Sequence, residues 1–219
     1  MSADSIDCML NDLQAAKEID ADRGDELPYF YDFSMISGYF NMPSARMPPM
    51  GTFGFGSARP PPYNIYGVSF QPFDRIEMSV NYRVFKGITE ANFGHEGFGD
   101  DADRVGNIKL GILTPQDGFP NAPSISVGAD DFIGTSRFNS QYGVVTKQWK
   151  TINLETTIGW SRGRMKGWFG GAAWTPWRNS CTPFIKNISL IAEYDNINYK
   201  KHPHEHPREE KSSLESMAE

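Results

Sequence analysis

The stretch I-E-M-S-V-N-Y-R-V, from Ile76 to Val84, alternates apolar and polar residues without a break. Successive side chains of a β-strand point to opposite faces, so this pattern places all its apolar residues on one face and all its polar residues on the other. A helix would distribute the two sets around its circumference. The stretch therefore predicts a β-strand with one apolar and one polar face.

The same alternation recurs in five further runs, at residues 66–70, 108–112, 124–130, 152–160 and 188–195. Turn residues interrupt the chain at 71–74, 114–118 and 161–164, and the acidic, Gly-rich span 87–103 is typical of a loop. Only 39% of the residues are hydrophobic, whereas 13% are aromatic and 21 are glycine. These features predict an all-β protein, an antiparallel meander of roughly eight to ten strands that closes fully or partly into a barrel.

Composition divides the chain into three parts. Residues 1–34 form a polar leader that is either a short helix or disordered, residues 35–199 form the barrel domain, and residues 200–219 form a charged, disordered tail. The leader has neither a basic start nor a long apolar run, so no signal peptide is visible in it. It also lacks the apolar run that precedes a lipidated cysteine, which disfavours lipidation of Cys8, and a disulfide from Cys8 to Cys181 is not favoured either.

Alternation alone does not decide which face of the sheet is inside. A soluble barrel buries its apolar face, and a membrane barrel turns that face toward lipid around a polar lumen. Charged residues on the polar face could line such a lumen: Glu77, Arg83, Lys109, Asp130, Lys147, Glu155 and Glu193. Aromatic residues near strand ends, including Trp149, Trp160, Trp168, Trp174 and Trp177, could form interfacial girdles. Aromatic residues at strand ends also occur in soluble sandwiches, so both alternatives remain open at this point.

Two motifs carry a family resemblance. The first is G-Y-F-N-M-P-S-A-R-M from Gly38 to Met47, and the second is the block P-S-I-S-V-G-A-D-D-F-I-G-T-S-R-F-N-S-Q-Y-G-V-V-T-K from Pro123 to Lys147. Both resemble, in the same order, motifs of YjbH-type outer-membrane β-barrel proteins, which are linked to exopolysaccharide production and export. The resemblance extends over about residues 38–195. It implies an outer-membrane location and, as partners, membrane lipid, polysaccharide and other secretion proteins.

Arg46 lies between small residues and prolines in the first motif. Small neighbours would let its guanidinium group reach across a tight space to carboxylates, which its planar, permanently charged fork suits. We therefore expect Arg46 to form a charged cluster with Asp130, Asp131 and Glu193 on the polar face, narrowing or plugging the lumen.

No motif predicts catalysis, a cofactor or nucleic-acid binding. Asp130 and Asp131 are adjacent, so we expect them on opposite faces of a strand and not as a catalytic pair, with Asp130 ending its strand. The histidines of the 202–206 tract lie in the tail, and the aspartates at 100–103 lack the spacing of a calcium loop, so no metal site is expected. The net charge of −6 disfavours nucleic acid.

The predicted function is thus a non-catalytic outer-membrane barrel protein associated with exopolysaccharide production or export. One alternative is a soluble carbohydrate-binding sheet protein, in which exposed tryptophans would stack on sugar rings. Another is a non-functional remnant of a longer barrel protein.

Overall fold

A computed structural model describes residues 27–60, 63–89, 100–117, 121–134, 136–180, 182 and 184–197. The predicted leader up to residue 26, the tail from residue 198, Cys8, Cys181 and the histidine tract lie outside these residues. Residues 27–34, which the prediction assigned to the leader, are packed into the interior of the fold, with Leu27 and Asp32 both buried.

Nine β-strands form one antiparallel sheet in which each strand pairs with its neighbours in the sequence. They are β1 Phe53–Ala58, β2 Tyr63–Phe73, β3 Ile76–Thr89, β4 Asp100–Leu113, β5 Ser124–Gly134, β6 Ser140–Trp149, β7 Leu154–Gly163, β8 Gly167–Trp174 and β9 Leu190–Tyr194. Pairing between β1 and β9 is not among the strand pairs of the described residues, so the sheet is not closed by its own edges. The predicted all-β meander and its strand number are confirmed.

Short 3-10 turns are the helical elements of the described ranges, at Pro115–Asp117, Lys150–Ile152 and Ile185–Asn187. Within this part of the chain, no helix has the length and apolarity to cross a bilayer.

Several strand limits differ from the prediction. The span 87–103 was predicted as a loop, but β3 continues to Thr89 and β4 begins at Asp100. Within the paired part of these strands, Asp103 lies opposite Arg83. The break predicted at 161–164 begins later, because β7 runs to Gly163. The polar residues at these strand ends have low strand propensity, but pairing with the neighbouring strand keeps them in the sheet.

The predicted end of a strand at Asp130 is also wrong, because β5 continues to Gly134. Asp131 has a φ of 51°, in the left-handed region, and the pairing of β4 with β5 shifts register nearby. Such a bulge turns an adjacent residue toward the same face. Asp130 and Asp131 are consequently both buried, and the expectation that they lie on opposite faces fails.

The sheet wraps around an irregular segment, residues 27–50, which we call the plug segment. It contains the Pro-rich and Gly-containing motif around Arg46 and has only isolated bridges, such as Gly38 to Pro43. The end of the sheet that has the connections after β2, β4, β6 and β8 is called the entry end. Both ends of the plug segment lie there, because Pro28 and Pro48 line one cavity with Asn187, which is in the connection after β8. The opposite end is called the cavity end.

The interior core has two apolar clusters. In the first cluster, the plug residues Tyr39, Met42 and Ala45 pack against inward side chains of β6 and β8 and of the turn between β7 and β8. These side chains are Tyr142, Val144, Phe169, Ala173 and Met165. The sheet and the connections between its strands, which surround the plug segment, are called the wall. At the cavity end, five wall residues form a second cluster: Tyr63, Ile65, Phe85, Val105 and Phe138. The plug segment therefore belongs to the core and is not a surface appendage.

Gly38 tests this packing. A Cβ atom at Gly38 would lie 2.3 Å from the carbonyl oxygen of Met42, so the plug backbone would have to shift. We expect Gly38→Ala to lower the free energy of unfolding by about 1–3 kcal/mol, measured by urea titration with tryptophan fluorescence. The matched control is Gly143→Ala, whose Cβ would meet nothing within 4 Å. Equal stability of the two variants would contradict a tightly packed plug segment.

Candidate functional site

The interior face of the sheet is polar. The inward side chains of β3 and β4 include Glu77, Asn81, Asn107 and Lys109, and each is at most 2% exposed. The intervening residues of the same strands point outward, and Val80 is 52% exposed. The plug segment, not water, meets this polar face.

An ion pair between Glu77 and Lys109 lies at the centre of the interior. The Lys109 Nζ atom is 2.6 Å from Glu77 Oε2, and the two side chains are 0% and 1% exposed. Lys109 also donates to the plug carbonyl oxygens of Ser37, Ser44 and Arg46, at 3.2, 3.1 and 2.7 Å. Glu77 accepts the backbone N–H of Ser37 at 2.7 Å. This pair therefore fastens both halves of the plug segment to β3 and β4.

A second ion pair joins Arg46 to Glu155, with 3.2 Å between Nη1 and Oε2. The Arg46 guanidinium carbon lies 3.7 Å from the centroid of the Tyr29 ring, and Nη1 donates to the carbonyl oxygen of Pro28 at 2.6 Å. Arg46 is 5% exposed. The guanidinium group thus joins the incoming and outgoing ends of the plug segment and ties both to β7.

The predicted cluster of Arg46 with Asp130, Asp131 and Glu193 is not the arrangement found. The ion-pair partner of Arg46 is Glu155, because the motif crosses the interior beside β7. Glu193 instead accepts the backbone N–H groups of Phe40 and Asn41, at 2.9 and 3.0 Å. Asp130 lies at the cavity end with Arg83. The charged residues are therefore spread over the plug's length in separate groups.

Hydroxyl and amide side chains of the wall bind the rest of the plug backbone. The carbonyl oxygen of Ser34 accepts from Asn81 Nδ2 at 2.9 Å and from Asn107 Nδ2 at 3.2 Å. The N–H of Ala45 donates to Thr146 Oγ1 at 2.7 Å, and its carbonyl oxygen accepts from Ser126 at 2.9 Å. Irregular backbone that is buried needs such partners, because it has no ladder of its own.

Burial also changes the acidity of plug residues. Asp32 accepts the N–H groups of Ser34 and Ile36, at 2.7 and 3.1 Å. Burial and the nearby Asp130 carboxylate nevertheless raise the pKa of Asp32 well above its usual range. Burial and the Glu155 carboxylate likewise raise the pKa of Tyr39, whose hydroxyl contacts Glu155 and Thr157. Both side chains are held in an environment that favours their neutral forms.

The remaining predicted residues occupy two locations. Lys147 was expected on the polar inner face, but it lies on the outward row of β6 with Val145 and Trp149, since alternation gives odd-numbered residues of β6 to that row. All five tryptophans are also exposed: Trp149, Trp160, Trp168, Trp174 and Trp177. Arg83, Asp130 and Glu193 face inward, as expected for the polar face.

Sequence reasoning missed the plug's aromatic residues and the cavity that it leaves. Three interior residues lie outside the strands, where no alternation of apolar and polar residues could identify them. Tyr39 is in the plug segment, Arg164 is in the turn after β7, and Phe138 is in the connection between β5 and β6. The ring of Phe138 lies within 4.2 Å of the Arg83 guanidinium carbon and 4.3 Å of that of Arg164. Among the described residues, no group of three or more acidic, His or Cys side chains is placed to hold a metal ion.

Comparison with known proteins gives a consistent picture. The family model described as YjbH, exopolysaccharide biosynthesis protein YbjH, matches residues 32–167, which include most of the plug segment and β1 to β7. The chain is 27% identical over 132 residues to a protein of Escherichia coli (strain K12) described as an uncharacterized lipoprotein YjbH. That alignment covers 59% of this chain and 18% of the relative, so the chain spans less than a fifth of the relative's length. No solved structure matches.

Arg46 offers a test of the buried charges. In Arg46→Met the carboxylate of Glu155 stays buried without its cation, so we expect the free energy of unfolding to fall by about 3–5 kcal/mol in urea titrations. The matched control is Arg75→Met, because Arg75 also forms an ion pair, with Asp117, but its side chain is 50% exposed. There we expect a loss of at most ~1 kcal/mol.

A second substitution separates lost charge pairing from lost packing. Adding Glu155→Leu to Arg46→Met removes the uncompensated carboxylate and should restore much of the lost stability. If Arg46→Met and Arg75→Met cost the same, the Arg46–Glu155 pair does not fasten the plug segment.

Proposed function

This chain belongs to the YjbH exopolysaccharide biosynthesis family, and from that membership we propose that it is a non-catalytic outer-membrane β-barrel protein with a filled interior. In this proposal it supports exopolysaccharide production at the membrane without being an open export pore. Its partners are lipid on the outside, and polysaccharide and other secretion proteins at its ends. The observation that carries the proposal is the reversed polarity of the sheet.

That reversal is visible on β3, β4, β5 and β7. Ile158, Val80 and Ile133 are 57%, 52% and 65% exposed, whereas Glu77, Lys109 and Glu155 are 1%, 0% and 3% exposed. A water-soluble sheet protein buries its apolar row and exposes its charged row. A membrane barrel does the opposite, because lipid covers the apolar row. The exposed apolar row therefore supports a lipid-facing exterior.

Aromatic residues of the exterior form two belts. Trp160 pairs with Trp168 and Tyr66 pairs with Tyr82 toward the cavity end. Toward the entry end the exposed aromatic residues are Phe53, Phe73, Trp149 and Trp174. Along β7, Trp160 lies six positions after Leu154, the partner of Trp174, which corresponds to about 20 Å along the strand. The strands of outer-membrane barrels also carry an apolar stretch between two aromatic girdles, and this order of residues supports the proposal.

The outward position of Lys147 agrees with the same picture. Its Nζ atom lies 5.8 Å from the centroid of the Trp149 ring, within the belt at the entry end. A lysine at that level can cover apolar surface with its methylene chain and keep its charge in the headgroup region. The description of the Escherichia coli relative as a lipoprotein also supports a membrane-associated location.

The filled interior supports a role other than conduction. The plug segment occupies the polar interior along its length, and wall carboxylates, hydroxyls and amides bind its backbone. A porin-type channel keeps comparable side chains in contact with water. The inner residues Arg46, Glu77, Lys109 and Glu155 therefore serve to hold the plug segment, and no nucleophile with an adjacent base is needed for that role.

The proposal is tested by placing a charge in the apolar band. Ile158→Arg should destabilise a lipid-embedded barrel by about 2–4 kcal/mol, whereas the same exposed position in a soluble protein should tolerate arginine within about 0.5 kcal/mol. The matched control is Gln141→Arg, on the outward row of β6 beyond the Trp160 belt. Unfolding in lipid vesicles and heat-modifiable gel mobility provide the measurements.

The soluble carbohydrate-binding alternative makes the opposite prediction. It requires a protein that stays in solution without detergent and in which both arginine variants are as stable as the parent chain. A chain that partitions into micelles and loses stability only in Ile158→Arg supports the barrel.

A further inference from the structure

A cavity of about 150 Å³ lies at the cavity end, between the tip of the plug segment and the wall. Its polar lining includes Arg83, Asp130, Ser140 and Arg164, which come from β3, β5, β6 and the turn after β7. The rings of Tyr63 and Phe138 provide its apolar lining. Polar groups from separated parts of the chain converge here, which is typical of a ligand site.

The hydroxyl of Tyr63 and Oδ1 of Asp130, which lie in the lining of this cavity, have no hydrogen-bond partner among the described residues. The two residues are only 8% and 7% exposed. Buried polar atoms are nearly always hydrogen-bonded, so an exception calls for a partner that is absent from the protein itself. A carboxylate oxygen accepts a hydrogen bond, and a phenol hydroxyl can donate or accept one, so a ligand hydroxyl suits both.

The hydrogen-bonding groups around the cavity favour a ligand that carries hydroxyls. Arg83 and Arg164 line the cavity with Asp130, so it has two basic side chains and one acidic side chain. Arg83 is held in place by the protein itself, because Nε donates to Asn81 at 2.9 Å and Nη2 donates to Ser34 at 3.0 Å. Oδ1 of Asp130 needs a hydrogen-bond donor, which an anionic carboxylate or phosphate group lacks and a hydroxyl supplies. A neutral ligand with several hydroxyls can accept from the arginines and donate to Asp130.

The volume limits how much of a ligand can enter. A cavity of about 150 Å³ in a protein core can hold one benzene ring, and a hexopyranose has about twice as many heavy atoms as benzene. The cavity is not fully enclosed, so one edge of a sugar ring can enter it while the rest of the ring lies in its opening. We propose that the cavity binds a single neutral sugar residue, a hexopyranose, with the hydroxyls of the inserted edge directed to Asp130 and Tyr63. This inference rests on the proposed function, since a chain that acts in exopolysaccharide production meets such residues at the ends or branches of its polysaccharide.

The structure offers a matched pair of variants for the test. Tyr63 and Tyr142 are both buried tyrosines whose hydroxyls have no hydrogen-bond partner in the part of the chain that the structure describes, but of the two only Tyr63 lines this cavity. Tyr63→Phe and Tyr142→Phe each remove one oxygen and leave the ring packing intact. Neither substitution removes a hydrogen bond of the described fold, so both variants should unfold at the urea concentration of the parent chain.

Binding is measured by saturation-transfer NMR on the whole chain in detergent micelles. The probes are the methyl glycosides of glucose, galactose, mannose and N-acetylglucosamine at millimolar concentration, with glucuronic acid for comparison. We expect at least one neutral glycoside to bind. Tyr63→Phe should weaken that binding about fivefold, as expected for one hydrogen bond, and Tyr142→Phe should leave it unchanged.

Three results would overturn the inference: no binding of any neutral glycoside, equal weakening by the two variants, or tighter binding of glucuronic acid than of every neutral sugar. These outcomes are distinguishable from failure of the proposed function. A chain that enters micelles and is destabilised by Ile158→Arg but binds no sugar remains a barrel without this site. A chain that binds a neutral glycoside in solution without detergent retains the site and contradicts the barrel.

Discussion

The buried contact of Lys109 with Glu77 and three plug carbonyls is the constraint on which the rest of the structure depends. Removing an ammonium and a carboxylate from water is costly, and an ion pair offsets that cost only if further hydrogen bonds satisfy both groups. Here the backbone of Ser37, Ser44 and Arg46 provides them. The wall needs the plug segment to satisfy its charges, and the plug segment needs the wall to satisfy its backbone. Neither is expected to be stable without the other.

This mutual dependence explains how a chain of low hydrophobicity can have a defined interior. Its interior combines two small apolar clusters with ion pairs and hydroxyl-to-backbone hydrogen bonds, and its larger apolar surface is external. Under the proposed function, lipid covers that external surface. The mean hydropathy of −0.49 says little about the exterior, because many of the polar residues that lower it are enclosed in the interior.

The sequence predicts the strands well where alternation is strict, as in β3, and poorly where glycine and aromatic residues blur it. β1, β6 and β8 have no clear period-two signal, because residues such as Gly54, Gly143 and Gly170 carry no side chain to assign to a face. The polar identity of the inner face was predictable for Glu77, Lys109 and Glu155. Lys147 was assigned to the inner face wrongly. Residue type alone does not distinguish a charged residue of the polar inner row from a single charged residue on the apolar outer row.

The partners within the interior could not be predicted from local pattern. The pairing of Arg46 with Glu155 joins residues more than 100 positions apart, and it depends on the path of a segment without regular secondary structure. The bulge at Asp131 could not be predicted either. Its backbone is in the left-handed region, where glycine is usual, but the residue is an aspartate. The motif around Arg46 indicated a tight, charged interior. It could not indicate which carboxylate would be reached.

The plug segment also relates the two edge strands of the sheet. On β9, Glu193 binds the N–H groups of Phe40 and Asn41, and on β1, Gly56 lies against the side chain of Met35. Each edge is thus attached to the same segment, although β1 and β9 do not pair with each other among the described residues. Open sheet edges are disfavoured in hydrocarbon because their backbone groups lack partners. By holding both edge strands, the plug segment limits how far the sheet can open, which makes it part of the enclosure as well as its content.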